Sequence, residues 1–223
     1  MKAIILAVAL AGAVGMAQGD DPAGTGHDAT VHHDFKNAKE WAEKFDSPDR
    51  AEWQKSRIVM RVLGVAEGET VADIGAGTGY FTQILSRALG PTGKVLAVDI
   101  EPEMLAYIEQ RDDLGTTPVE TILARADDPL LGENRVDLAL LVNTWHHIDD
   151  RLSYLERLRV ALKAGGRVAV IDWHEGELPI GPPVGSKLSR AEVVAEFAER
   201  NWRLESESVA LPYQYLLVFY PPE

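Results

Sequence analysis

Residues 71–80 read Val-Ala-Asp-Ile-Gly-Ala-Gly-Thr-Gly-Tyr, and this stretch decides the fold. It predicts a buried strand that runs into a loop with three glycines, Gly75, Gly77 and Gly79, before a helix begins near Tyr80. Glycine at such a junction lets the backbone turn sharply and approach a ligand closely. The spacing is G-x-G-x-G, and Tyr80 stands where a dinucleotide-binding loop has its third glycine, which argues against a pyrophosphate ligand.

A carboxylate follows the glycine loop at a distance of twenty residues. Asp99, with Ile100 beside it, closes the second predicted strand. A carboxylate at a strand end can accept hydrogen bonds from both hydroxyls of a ribose, and it rejects a 2′-phosphate. Alone, Asp99 would be interpreted as a solvated side chain at the end of a strand. Its offset from the glycine loop favours a nucleoside ligand instead.

Beyond Gly68 the chain alternates between short β-rich runs and runs with helical periodicity. Strand, helix, strand repetition is typical of a parallel sheet with crossover helices. The tail differs, because its last two strand-like runs are joined so tightly at Leu211-Pro212 that they can only pair antiparallel. The predicted strands are 70–74, 94–99, 119–124, 135–142, 167–172, 202–210 and 213–220, and the predicted helices are 79–89, 102–110, 151–162 and 189–200.

Two helices are predicted before the first strand. Residues 35–66 contain Trp41 and Phe45 four residues apart, a break at Ser47-Pro48, and a second helical segment from about 51 to 63. Aromatic residues on these helices, including Trp53, either close over a ligand as a lid or pack in the core. We therefore expect a lid region at 35–66 in front of a core at 68–223, which together form one domain at 35–223.

The amino terminus has the outline of a signal peptide. Lys2 precedes an apolar run, residues 3–14, and small residues continue to Gly19. The run is short for a membrane span, so an uncleaved anchor is the lesser interpretation. Residues 1–19 are the predicted signal and 20–34 a flexible linker, which predicts an exported, periplasmic chain without stable membrane insertion after cleavage, or a cytoplasmic one if the signal is not used. Amino-terminal sequencing of the mature chain tests this.

Composition excludes several classes of function. The formal net charge is −13, with 35 acidic against 22 basic residues, so the chain's field repels nucleic acid and no nucleic-acid partner is expected. There are no cysteines, which removes disulfides and thiolate metal sites. The six histidines do not have the spacing of a helical metal-binding pair, so no metal is expected. Nothing in the sequence indicates an oligomeric state.

Five segments of the chain resemble, in order, successive motifs of class I S-adenosylmethionine-dependent methyltransferases. The resemblance is strongest to the branch that acts on small molecules such as quinones and arsenite. The resemblance covers about residues 50–220 and implies an α/β fold, a Rossmann-like seven-stranded, mostly parallel sheet with the last strand antiparallel and helices on both faces. The segments are Asp73 to Gly79, Asp99, Ala126-Asp127, Asp137 with Asn143, and residues 162–167.

The resemblance also implies S-adenosylmethionine as cofactor and a role for each matching residue. The glycine loop, which Asp73 precedes, would surround the methionine part of the cofactor, and Asp99 would hold the ribose, with Ile100 next to it as a further cofactor-binding residue. The other contacts would be Met104 against the adenine, Asp127 at the adenine amino group, and Asn143 on the floor beneath the sulfonium.

Two further groups are candidates for the acceptor side. His146 and His147 follow the fourth strand, where either imidazole would suit removal of a proton from an acceptor. The alternative is that one histidine caps the next helix while the other packs in the loop. Trp173 ends the fifth strand and is either a platform for the acceptor or part of the lid packing. Both alternatives stay open at this stage.

The sequence thus predicts in-line transfer of a methyl group from S-adenosylmethionine to an O, N, S or C nucleophile on a small or quinone-like molecule. Arsenic chemistry that depends on cysteine is contradicted by the empty cysteine count. The main alternative is an exported protein that binds S-adenosylmethionine or a nucleoside without turnover, because the cofactor is cytosolic. A protein-modifying methyltransferase is a third reading.

Overall fold

The computed structural model describes residues 37–208 and 210–223. The predicted signal peptide and linker lie outside these residues. The helices are α1 (Ala38–Phe45), α2 (Arg50–Gln54), α3 (Ser56–Leu63), α4 (Tyr80–Ala88), α5 (Pro102–Glu109), α6 (Arg151–Ala161) and α7 (Arg190–Glu199). The strands are β1 (Thr70–Ile74), β2 (Lys94–Asp99), β3 (Val119–Leu123), β4 (Val136–Val142), β5 (Leu162–Trp173), β6 (Arg203–Ser208) and β7 (Gln214–Tyr220).

The strands form one seven-stranded sheet in the order β3-β2-β1-β4-β5-β7-β6. Strand β7 is antiparallel to both of its neighbours, and all other adjacent pairs are parallel. The predicted α/β, Rossmann-like sheet with an antiparallel last strand is therefore confirmed. The tight connection at Leu211-Pro212 is the physical reason for the direction of β7, since so short a link cannot cross over the sheet.

The core lies on both faces of this sheet, because successive strand residues point to opposite sides. In β4, Leu138 and Leu140 pack with α3 and α4, whereas Ala139 and Leu141 pack with α6 and α7. Helix α5 joins the first face through Leu105 and Ile108. Burial on both sides explains why the central strands read as continuous apolar runs. It also leaves the strand ends as the surface where polar side chains collect.

The leading helices differ from the prediction. The single helix expected over 51–63 is wrong, since α2 ends at Gln54 and α3 starts at Ser56, with Lys55 between them in the left-handed region at φ 47°. The Lys55 N–H closes α2 on the Ala51 carbonyl, and its own carbonyl starts α3. The break turns α3 so that Val59 and Leu63 enter the core. Apolar periodicity does not register a single left-handed residue, which is why the sequence predicts one helix.

Strand β5 also starts earlier than predicted, at Leu162 rather than 167. Its first residue pairs with Val136, and a register shift follows before Leu138 pairs with Arg167. The glycine-containing segment 163–166 is therefore accommodated by an irregularity in the ladder, as such bulges allow. In the described part of the chain, no helix has the length and apolar character needed to cross a membrane.

Candidate active site

The glycine loop lies at the carboxyl end of β1, between β2 and β4. Gly75, Gly77 and Gly79 all have positive φ, at 71°, 54° and 89°, which is unfavourable for any residue with a Cβ. A Cβ at 75 would overlap the Thr144 side chain, and one at 79 would lie 2.9 Å from Ile108 Cγ1. At 77 the nearest atom would be 3.7 Å away. Packing thus requires glycine at 75 and 79, whereas a Cβ at 77 would only come into van der Waals contact with the Phe45 ring.

Asp99 is placed at the end of β2, as predicted, and ties the glycine loop to that strand. One carboxylate oxygen accepts the Gly77 N–H at 2.7 Å, and the other accepts the Glu101 N–H at 3.0 Å. Burial raises the pKa of Asp99 above its ordinary value. The Ile100 N–H is a third backbone donor to this carboxylate, which has about four lone-pair sites and can therefore still accept a hydrogen bond from a ribose hydroxyl.

Asp73 lies beneath the loop and is almost fully buried. The Thr82 hydroxyl donates to its carboxylate at 2.6 Å. Burial raises the pKa of Asp73 to about 6, against the lowering effect of the Thr82 hydrogen bond and of the nearby Arg50 cation. Asp73 and Asp99 place two carboxyl groups at the glycine loop, and the Arg50 cation acts on Asp73.

Helices α1 and α2 lie over this loop. The Phe45 ring is the atom group nearest to Gly77, at 3.7 Å from a Cβ built there. Asp46 accepts the Thr78 hydroxyl at 3.1 Å and pairs with Arg111 at 2.7 Å. Two of the three aromatic residues discussed as lid candidates, Trp41 and Phe45, stack at 5.1 Å between ring centroids. Phe45 therefore lies against the glycine loop, and a lid over a ligand stays a prediction.

Arg50 anchors α2 to the same loop. Its guanidinium lies 4.0 Å above the Tyr80 ring and donates to the Phe45 carbonyl at 2.9 Å. Burial lowers the pKa of Arg50 to about 10, so it stays a cation at neutral pH. Neither Arg50 nor Asp46 was predicted as a site residue. No sequence signal identifies them, because each acts across a gap of about thirty residues.

Asn143 follows β4 in the left-handed region at φ 57°, where asparagine is among the residues that tolerate it best. Its N–H bonds the Ile171 carbonyl at 2.8 Å, and its side-chain oxygen accepts a hydrogen bond from Gln214. Gln214 is fully buried and in turn accepts from the fully buried Gln54. Sequence reasoning missed both glutamines.

The two predicted histidines have different environments. His146 is 2% exposed, and its Nδ1 lies 2.8 Å from the Asp172 carboxylate, which also accepts the Trp173 N–H at 2.9 Å. His147 is exposed, and its ring centroid lies 4.0 Å from that of His146. The structure therefore holds His146 in a buried pair with Asp172 and leaves His147 as the accessible imidazole of the two.

The other residues predicted to contact the cofactor are Ile100, Met104 and Asp127, and they differ in exposure. Ile100 is 48% exposed at the end of β2 and is available to a flat apolar ligand. Met104, on the buried face of α5, is 1% exposed. The Asp127 carboxylate is exposed and pairs with Arg125 at 3.3 Å and with Arg157 at 3.4 Å. A contact from Met104 or Asp127 to a base would thus require these side chains to move.

An aromatic cluster is linked to Asn143 through Gln214, which follows Tyr213, pairs with Trp173 in the sheet and bonds the Asn143 side chain. The Trp53 ring of α2 lies 5.4 Å from Trp173 at the end of β5 and 6.5 Å from Tyr213, which precedes β7. Trp173 is buried, while Trp53 and Tyr213 are half-buried. Among residues 37–208 and 210–223, no group of three histidine, aspartate or glutamate side chains is placed to hold a metal ion.

Comparisons with known proteins agree with this geometry. A family model described as a methyltransferase domain matches residues 72–168. A solved S-adenosylmethionine-dependent methyltransferase from Aquifex aeolicus is 30% identical, with a TM-score of 0.76 over 81% of this chain and 96% of that one.

Curated relatives are similar over a shorter stretch. Demethylmenaquinone methyltransferases from Oceanobacillus iheyensis and Staphylococcus aureus are 31% and 27% identical over 64% and 67% of this chain. The matched part spans 61% and 63% of the length of those two relatives.

Proposed function

Because this chain belongs to the class I S-adenosylmethionine-dependent methyltransferases and uses that compound as its cofactor, we propose that it methylates a small, planar aromatic acceptor of quinone type. The observation that carries the acceptor class is the cluster of Trp53, Trp173 and Tyr213 beside Asn143. Aromatic faces recognise flat rings by stacking, with little demand for hydrogen bonds. The names of the two curated relatives, which refer to demethylmenaquinone, point the same way.

The residues present are suited to hold the cofactor. Gly77 has no side chain to block a ligand that approaches the loop backbone, and Asp99 offers a carboxylate to a ribose. Asp73 and Asp99 supply negative charge for the positive end, and Ile100 supplies an apolar surface. When bound, S-adenosylmethionine supplies a methyl group on a sulfonium, which is already a good leaving group.

The chain's own contribution is alignment and exclusion of water. Phe45 and Asp46 hold α1 over the glycine loop, and Arg50 holds α2 there. Alignment of two reactants in a closed site is worth effective molarities up to about 10⁵–10⁸ M in well-oriented systems. For a hydroxyl acceptor we assign proton removal to His147, the accessible imidazole, with His146 fixed beneath it by Asp172.

Transfer of a tritiated methyl group from S-adenosylmethionine tests the proposal. The panel contains a naphthoquinol, a catechol and a phenol, with an aliphatic alcohol and an aliphatic thiol of similar size as comparison. We expect methylation of the aromatic compounds. Methylation of only the aliphatic compounds would contradict the acceptor class, and binding of the cofactor without any turnover would favour a binding protein instead.

A matched pair of tryptophan variants distinguishes loss of stacking with the acceptor from the general effect of removing an aromatic ring. Trp53→Leu removes the ring from the acceptor side, and we expect the acceptor KM to rise at least tenfold while Trp53→Phe restores most of the loss. Trp41→Leu, on α1 against Phe45, is the control and should leave the acceptor KM within about twofold. Equal KM values for Trp53→Leu and Trp41→Leu would remove the cluster from the acceptor site.

A further inference from the structure

Four side chains form a continuous series of hydrogen bonds from the lid to the floor of the site. Arg50 Nε donates to Gln54 Oε1 at 3.3 Å, Gln54 Nε2 donates to Gln214 Oε1, and Gln214 Nε2 donates to Asn143 Oδ1. Both glutamines are 0% exposed, although 160 residues separate them in the chain. We call this series the amide relay. It joins α2, the amino end of β7 and the carboxyl end of β4.

The relay has a fixed direction. The two ends of an amide have nearly the same shape, so hydrogen-bond partners decide which end points where. Arginine carries donors and no acceptor, so Gln54 must turn its oxygen to Arg50 and its nitrogen to Gln214. The same logic turns the Gln214 nitrogen to Asn143. The oxygen of Asn143 therefore points toward Gln214, and the NH₂ group at the other end of the amide is turned away from Gln214.

We propose that Gln54 and Gln214 are positioning residues that hold the Asn143 amide with its NH₂ group toward the crevice. Within the described residues, no acceptor bonds Asn143 Nδ2. The inference rests on the proposed function and on the position beneath the sulfonium that the family resemblance implies for Asn143.

The orientation has a chemical consequence. An N–H dipole facing the sulfur interacts less favourably with a sulfonium than with the neutral thioether that remains after methyl transfer. Positive charge on sulfur falls as the methyl group leaves, and interactions that improve along that path lower the barrier. Because Gln54 and Arg50 belong to α2, this orientation requires α2 to be docked on the glycine loop. Through the relay, docking of α2 on the glycine loop determines which end of the Asn143 amide faces the sulfur.

Calorimetry with S-adenosylmethionine and S-adenosylhomocysteine measures the effect without any acceptor. The quantity is the ratio of the dissociation constant of S-adenosylhomocysteine to that of S-adenosylmethionine. Gln54→Glu places an acceptor-only carboxylate between Arg50 and Gln214, so both downstream amides should turn and Asn143 should present its oxygen to the sulfur. The ratio should rise about tenfold, since hydrogen bonds and dipoles act more strongly on charged groups than on neutral ones.

Three further variants separate orientation from added charge. Gln54→Met breaks the relay without a charge and frees Asn143 to turn, so the ratio should rise in the same direction by about threefold. Arg50→Lys keeps a donor-only cation at the head of the relay and should stay within about twofold of the unaltered chain. Gln110→Glu, on an exposed surface outside the relay, controls for the net charge.

The outcomes separate failure of the relay from failure of the proposed function. Unchanged ratios in Gln54→Glu and Gln54→Met, with both variants folded and binding the cofactor, overturn the relay. A shift in Gln54→Glu alone assigns the effect to charge and also overturns it. If the Gln54 variants do not fold, Gln214→Met is measured in their place, with the same threefold expectation and with no shift as the contrary result. An unaltered chain that binds no S-adenosylmethionine contradicts the proposed function at the first titration, which separates the two failures.

Discussion

At the scale of single residues, Asp99 is the side chain on which the ribose assignment depends. We expect Asp99→Ala to weaken S-adenosylmethionine binding by about 1.5–3 kcal/mol, the usual worth of hydrogen bonds to a charged group. Isothermal calorimetry measures this. Asp137→Ala is the control, because Asp137 also accepts a backbone N–H, from Thr70 at 2.7 Å, but at the amino end of the strands. Equal dissociation constants for the two variants would remove the ribose assignment.

Gly75 and Gly77 should respond differently to replacement by alanine. Gly77→Ala has room for its Cβ, so its loss of stability should be limited to the left-handed backbone, about 1–2 kcal/mol. Its affinity for S-adenosylmethionine should nevertheless fall, because the Cβ enters ligand space. Gly75→Ala should lose more stability, since its Cβ overlaps Thr144. Thermal melts with calorimetry test both, and a Gly77→Ala chain that binds normally would show that the loop is not the cradle.

The raised pKa of Asp73 predicts that its contribution to the folding stability of the chain decreases as the pH rises. Burial raises its pKa from 3.8 to about 6, so the folded chain binds this proton more tightly than the unfolded chain. The stability contributed by the proton is present below about pH 4 and is lost as pH rises to about 6, by about 3 kcal/mol.

The free energy of unfolding of the unaltered chain and of Asp73→Asn, compared by urea denaturation at pH 4.5 and 6.5, isolates this group. Relative to Asp73→Asn, the unaltered chain should be less stable at the higher pH than at the lower one. A difference between the two chains that is the same at both pH values would contradict the buried, raised carboxyl.

Some residues of the site could be predicted from local sequence patterns, and others could not. The glycine loop and Asp99 could be predicted, because a strand, a turn and a following helix are local patterns with fixed spacing. Asp172 and Gln214 could not, since their partners His146 and Asn143 are 26 and 71 residues away and are brought near only by strand pairing. Met104 shows the reverse case, where a motif position falls in the core.

At the scale of elements, the break between α2 and α3 distinguishes the observed structure from the continuous helix that periodicity predicts. Lys55 has a left-handed backbone, so Lys55→Gly should stabilise the chain by about 1 kcal/mol through relief of that strain. In a continuous helix the same change would destabilise by about 1 kcal/mol. Lys39→Gly, at an exposed position inside α1, is the control and should lower the melting temperature. A lower melting temperature for Lys55→Gly as well would contradict the break.

Most other elements follow from local pattern, and their bounds differ from the predicted ones by a few residues. Helix α7 is an example, because Ser189 and Glu192 form a reciprocal cap at its start. Strand β5 is the exception at its amino end, where the irregular pairing with β4 extends it to Leu162. Pairing across a sheet is a long-range property, which explains why the predicted strand began at 167.

At the scale of the whole molecule, the order and direction of the strands bring four strand ends to the same edge of the sheet. The carboxyl ends of β1, β2 and β4 meet there, and the antiparallel β7 brings its amino end, Gln214, to the same edge. Ligands in open α/β sheets bind beyond the carboxyl ends, at the point where strand order reverses. Here that point lies between β1 and β4. Export of the chain stays a prediction, since residues 1–36 are outside the described part.

The position of the cofactor is tested most directly by a crystal structure of the chain with S-adenosylhomocysteine bound. We predict that the ribose hydroxyls lie within hydrogen-bond distance of Asp99, that the methionine part lies against Gly77, and that the sulfur lies beside Asn143. Electron density for the ligand at another edge of the sheet, or a bound ligand that leaves Asp99 without a contact, would contradict it.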